Sequence, residues 1–172
     1  MTSKHSRGTA SQFFVASQLC RRGYTAVVTL GNCPNIDVLC SDTDGTAFVH
    51  IQVKTFRPGD RTCTVGRKAE QDYGPKFFWI LVGLPVNPED PIEQCFVIPS
   101  KYMARNIRES HQMFLDSLGK HGQEHRDSSV RNVLLPPHKS RNGWSVKQFT
   151  NRWDLIDKKL MVPNKLDARD GS

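Results

Sequence analysis

The run FFWILVGL, Phe77–Leu84, constrains this chain more than any other stretch. It holds no charged or hydrogen-bonding side chain except the indole of Trp79. Eight residues is a strand's length and far short of the roughly 20 that a membrane-crossing helix needs. A strand with one wet face alternates apolar and polar residues. A strand apolar on both faces must be covered on both, which in a layered domain means helices above and below a sheet. The rest of the chain therefore has to supply neighbouring strands and at least two covering helices.

Those elements can be found by period and punctuation. TASQFFVASQLCRR, Thr9–Arg22, reads as a helix. Thr9 can cap it, Phe13, Ala16 and Cys20 share a stripe, and Gly23 ends it after two arginines. Tyr24–Leu30 reads as a strand, GNCPN as a turn, and Asn35–Ser41 as a second strand. DTDG is a tight hairpin turn into a third strand, AFVHIQVKT, Ala47–Thr55. There Ala47, Val49, Ile51 and Val53 form an apolar face, and Phe48, His50, Gln52 and Lys54 the other.

Downstream, 56–76 is polar, with a short strand at Thr62–Val65. PVNPEDP follows the apolar strand as a loop. Gln94–Ile98 is a further strand, and Pro99 can open a helix running to Leu118. Gly119–Ser129 reads as a mobile, charged loop. Val130–Leu135 is apolar, and Trp144–Trp153 supplies the last core aromatics. The expectation is one domain over 1–160 of α/β (α+β) class, with a frayed tail over 161–172.

Composition narrows the partners. The 172 residues carry a formal charge of +7, with a pI near 9.3 and a mean hydropathy of -0.51. Such a surplus suits a polyanion as well as it suits simple solubility. No apolar run is long enough to span a membrane, and MTSKHSRGTASQ lacks the apolar core of a secretory signal. Five cysteines, without a CxxC pair, fit a reducing, cytoplasmic setting.

The polar residues of the hairpin are the candidate chemistry. Asp37 lies between Ile36 and Val38, which with Cys40 point to the opposite face. If its face coincides with that of Gln52 and Lys54, the three converge. An aspartate and a glutamine carbonyl can hold a hard divalent cation, and a lysine can steady a phosphate or orient a water. The plain structural alternative is an Asp37–Lys54 ion pair with Gln52 in solvent.

GTASQFFVASQLCRRGY, TLGNCPNIDVLC and HIQVKTF together resemble the PD-(D/E)xK, or restriction-endonuclease-like, nuclease superfamily. The likeness is to small bacterial and homing-type endonucleases that write the last motif QxK, and it covers roughly Gly8–Leu84. It implies a central mixed sheet of four to five strands flanked by helices. It implies Asp37 as metal-binding aspartate, Gln52 at the acidic-or-glutamine position and Lys54 as the lysine, with Mg²⁺ or Mn²⁺ as cofactor. Pro34 stands one residue out of the motif's proline position. The helix position where such relatives carry a glutamate is Gln12. The metal set is then Asp37, Gln52 and Gln12, with one formal charge. The resemblance further implies DNA as substrate, 5′-phosphate products, two-fold assembly and no small-molecule cofactor.

Other signals are weaker. HGQEH, His121–His125, has inverted zinc-protease spacing, but Gly119 and Gly122 disfavour the helix it needs. His50, Arg57, Arg61, Arg67 and Lys68 are candidate phosphate contacts beside the site. Tyr73, Trp79, Trp144 and Trp153 read as packing. Two functions follow: a metal-dependent DNA endonuclease, or a catalytically silent nuclease-fold module that binds nucleic acid or protein as an immunity or regulatory protein would.

Overall fold

A computed structural model describes residues 3–29 and 33–161. The expected tail therefore lies, from 162 onward, outside the described residues. Five strands form one sheet: β1 (Thr25–Val28), β2 (Val38–Ser41), β3 (Phe48–Phe56), β5 (Phe77–Gly83) and β6 (Cys95–Pro99), in that spatial order. β1, β2 and β3 are antiparallel neighbours, β3 and β5 are parallel, and β5 and β6 antiparallel. The sheet is mixed, as expected. β4 (Thr62–Thr64) and β7 (Asn132–Leu134) pair separately.

The apolar run behaves as its composition demands. All seven residues of β5 are buried. Phe78, Ile80 and Val82 pack with Val49, Ile51 and Val53 of β3 toward helix α1 (Lys4–Cys20) and helix α3 (Asp154–Leu160). Phe77, Trp79 and Leu81 pack on the other side with Met103 and Ile107 of helix α2 (Ser100–Leu115). Burying a Leu or Ile side chain contributes roughly 1.5–3 kcal/mol. Leu19, Ile156 and Ile107 thus hold the helices down more firmly than helix propensity does.

The β2–β3 hairpin turns where DTDG placed it. The Asp42 carboxylate accepts from the amides of Thr46 (2.7 Å) and Ala47 (3.1 Å) and from the Thr46 hydroxyl (2.5 Å). Gly45 takes the positive φ of 68° that the turn requires.

Three expectations need correcting. α1 begins at Lys4, not Thr9. Ser3 caps it, accepting from the Ser6 amide at 3.0 Å, and the Thr9 hydroxyl bonds back to the His5 carbonyl at 3.2 Å inside the helix. Its buried stripe is Ser11, Val15, Ala16 and Leu19, whereas Phe13 and Cys20 are exposed. Both stripes have helical spacing, so the choice fell to the sheet. α2 ends at Leu115, three residues early.

Segment 119–129 is tied down rather than free. Asp127 accepts from Arg131 (3.1 Å) and Arg67 (2.8 Å) and meets His111 Nε2 at 2.9 Å. The ring of His125 stacks on Phe114 at 3.9 Å. A charge-rich stretch stays ordered when its charges find partners of opposite sign.

Candidate active site

The site forms where β2 stops and β3 continues. β2 begins at Val38, so Asp37 stands just outside the strand in which it was expected. Its amide still bonds to the Ile51 carbonyl at 2.8 Å. One rung further on, the Val53 N–H meets the carboxylate of Asp37 instead of a strand backbone, 2.7 Å from Oδ2. The carboxylate occupies the next rung of the ladder. It therefore lies near the plane of the sheet, reachable from both faces.

This explains which side chains collect there. Gln12 comes from α1 on one face, its Nε2 3.1 Å from Asp37 Oδ1. Gln52 comes from the other face, where its register partner is Trp79, and its amide donates to Oδ2. Lys54 lies two residues on from Gln52, half-buried. Among the described residues it forms no salt bridge, so the Asp37–Lys54 ion pair is not made. The Thr55 hydroxyl donates to Ser11 Oγ at 2.9 Å. That bond sets α1 against β3 one residue from both Gln12 and Lys54.

Burial raises the Asp37 carboxyl above the ordinary carboxylate range. The Val53 amide, the Lys54 charge and the two glutamine amides pull it down, but less strongly. The negative charge is thus incompletely compensated by the protein itself. A cation beside it would relieve that cost.

The donor set suits a hard divalent ion. Among the described residues no group of three or more His, Cys, Asp or Glu side chains that could hold a metal comes together. Asp37 brings one carboxylate, and Gln12 and Gln52 bring amide oxygens when their amides are turned end for end. All are oxygen donors, which Mg²⁺ and Mn²⁺ prefer, with a single formal charge.

Beside the site is a groove of about 670 Å³. Lys4 and Arg7 line it from α1, Lys54 and Arg57 from β3 and its end, and Gly8 leaves the helix side of it bare. Asp60, the acid in its wall, accepts from the Arg57 amide at 2.8 Å. A cavity of similar volume between Pro58 and the Pro85–Gln94 loop carries Asp90 and Glu93 and no cation, so it does not suit a polyanion.

No protein-family model matches the chain, and no curated protein does. Among solved structures it is similar to the bacterial homing endonuclease I-Ssp6803I, with a TM-score of 0.54 and 15% identity over 92% of this chain and 95% of that one. The chain has the restriction-endonuclease-like fold. It also matches Hjc, a Holliday junction resolvase of Archaeoglobus fulgidus, with a TM-score of 0.41 and 15% identity over 74% and 83% of the two chains.

On this fold the expected phosphate contacts divide. Arg57 lines the groove. Lys68 instead reaches the Pro34 carbonyl at 2.5 Å, pinning the turn that leads to Asp37. Arg67 is engaged by Asp127 and, at 3.9 Å, by Glu70. Arg61 is exposed, and its carbonyl accepts from Leu135. His50 is exposed two residues before Gln52, outside the groove. The 56–76 stretch is folded, not free, which is why its cations scatter. The HGQEH segment is a turn, with the Gly119 amide bonded to the Gln123 carbonyl at 2.8 Å.

A helix start at Thr9 leaves Lys4 and Arg7 outside α1, whereas both lie on it and line the groove. Their spacing with Gly8 and Ser11, at i, i+3, i+4 and i+7, is the signal that could have found them.

Proposed function

We propose that this protein is a divalent-metal-dependent DNA endonuclease hydrolysing phosphodiester bonds. One observation carries the reading: Gln12 and Gln52 bond Asp37 at the rung beyond β2, the Lys54 charge acts on its carboxyl, and Lys54 opens onto a groove lined by four cations. The fold is one that I-Ssp6803I, an endonuclease, also has.

In the proposed reaction a water oxygen bonds to phosphorus and the P–O3′ bond breaks, so that the 3′ oxygen leaves with a proton. Asp37, with the Gln52 and Gln12 oxygens once their amides turn, would hold Mg²⁺ or Mn²⁺, which would supply Lewis-acid polarisation of the phosphoryl group. Asp37 keeps its place through the Val53 amide. Lys54, free of any carboxylate among the described residues, faces the charge that grows on the phosphoryl oxygens. Ser11 and Thr55 hold the helix and strand in register, so that the groups stay within reach of one another.

The second reading is a silent nuclease-fold module binding DNA or a protein partner. It is favoured by the two glutamine amides, which solvate Asp37 where a second carboxylate would strengthen a cation site.

Plasmid and branched DNA, incubated with purified protein in Mg²⁺ or Mn²⁺ beside Lys54→Ala, separate the two. Metal-dependent cleavage by the wild type alone supports the endonuclease. No cleavage, with DNA still bound, selects the silent module. Equal traces in both preparations mean contamination and sink the enzymatic reading.

A further inference from the structure

We infer that Gly8 is a seat for the DNA backbone: a phosphate and its sugar lie against the bare turn of α1, gripped by Lys4 and Arg7 on the helix and by Lys54 and Arg57 across the groove. The inference rests on the reading of this groove as a DNA site, and it names the part of the helix that touches the substrate.

The argument starts from a glycine that the fold does not require. Gly8 sits in the second turn of α1, where glycine is the poorest helix former after proline. Its φ is not in the left-handed region, so no turn demands it. A Cβ built there meets nothing within 4 Å, so no neighbour excludes a side chain. Neither backbone geometry nor packing accounts for the residue. What remains is the space above it, and that space is the basic groove. Glycine is the residue that lets another molecule approach a backbone closely.

The cations agree with this placement. Lys4 and Arg7 precede Gly8 on the same side of the helix and line the same groove. Arg7 donates one Nη2 bond to the Leu84 carbonyl at 2.7 Å, which fixes the guanidinium in the groove and leaves other N–H groups to donate. Lys54 and Arg57 face them from β3 and its end. Two positive rows with a gap between them match a phosphodiester chain, whose charge lies on its backbone, better than a compact anion.

The test measures binding of a fluorescein-labelled random-sequence DNA duplex in EDTA, so that no cleavage intervenes. Gly8→Ala should raise the Tm, because alanine is the better helix former, and yet weaken binding several-fold. Gly8→Leu should weaken it about tenfold or more. Lys4→Gln with Arg7→Gln should lower the slope of log affinity against log salt by about two, at roughly 0.9 per phosphate contact. A control, Lys101→Gln with Lys159→Gln, removes two exposed lysines outside the groove and should leave more of the affinity intact. Wild-type affinity in Gly8→Leu, in a protein that binds the duplex, overturns the seat and leaves the groove reading standing. Failure of the wild type to bind any duplex overturns both.

Discussion

Two polar clusters in this molecule solve the same problem in opposite ways. At one, Arg131 is buried at 3% exposure and is answered on every side. Its Nε meets Glu70 at 2.5 Å, its Nη2 meets Asp127 at 3.1 Å, and its Nη1 donates to the carbonyls of Ser128 and Val130. Asp127 is held below the ordinary carboxylate range, first by His111 and then by Arg131. At the other, Asp37 is surrounded by amides, and burial drives its carboxyl upward. The first cluster has opposite charge to spare and ties a loop to α2. The second has a charge the protein leaves incompletely balanced, beside a cationic groove. A closed network of the first kind stabilises a fold, whereas an open one of the second kind is suited to a ligand.

Four changes would break or sharpen that contrast. The largest effect expected is at the closed cluster. Arg131→Ala removes a buried guanidinium that donates to Glu70 and to the carbonyls of Ser128 and Val130, while Asp127 keeps Arg67 and His111. It should cost about 2–4 kcal/mol of stability by urea denaturation, below the usual cost of breaking a buried pair because Glu70 keeps some solvent access. A change under a few tenths of a kcal/mol would mean that the network is decoration.

At the open cluster, Lys54→Ala should leave the urea midpoint nearly unchanged while lowering cleavage by about 10²-fold, the scale of losing one group that stabilises developing charge. Unfolding of that variant would move Lys54 from chemistry to structure. Gln12→Glu supplies a second carboxylate. It should tighten Mn²⁺ binding by about tenfold, roughly 1.4 kcal/mol, read by calorimetry without DNA. Unchanged affinity would show that Gln12 does not face the ion.

The smallest effect is the most diagnostic in sign. Asp37→Asn should raise the Tm of the metal-free protein at neutral pH, because the folded-state carboxyl is raised and its ionised form is disfavoured. Below the unfolded carboxylate value the wild-type group is protonated in both states, so the advantage should vanish on acidification. Asp127 has the opposite sign: its contribution is present above the unfolded value and is lost as pH falls through its depressed folded value. An Asp37→Asn advantage that grew with acid would refute the assigned electrostatics.

Legibility in the sequence followed periodicity. β3 and β5 were readable because alternation and continuous apolarity are direct consequences of facing one core or two. The DTDG hairpin was readable because Asp and Gly each do a specific job in a turn. The start of α1 was not: Gly8 and Thr9 look like a boundary, and only the Ser3 cap reveals the five helical residues, Lys4–Gly8, before Thr9. The cations of 56–76 could not be assigned either. Which of Arg57, Arg61, Arg67 and Lys68 reaches the groove depends on how β4 and the short helical turn Arg67–Glu70 fold back.

The candidate site divides along the same line. The sequence by itself determined the candidates Asp37, Gln52 and Lys54, the shared parity of Gln52 and Lys54 on β3, and the absence of an acid at Gln12, because residue identity and strand period are local. Only the tertiary structure decided that Asp37 lies at the missing rung of the ladder, within reach of side chains from both faces. That position follows from where β2 stops relative to β3, a matter of long-range pairing that no single stretch of sequence encodes.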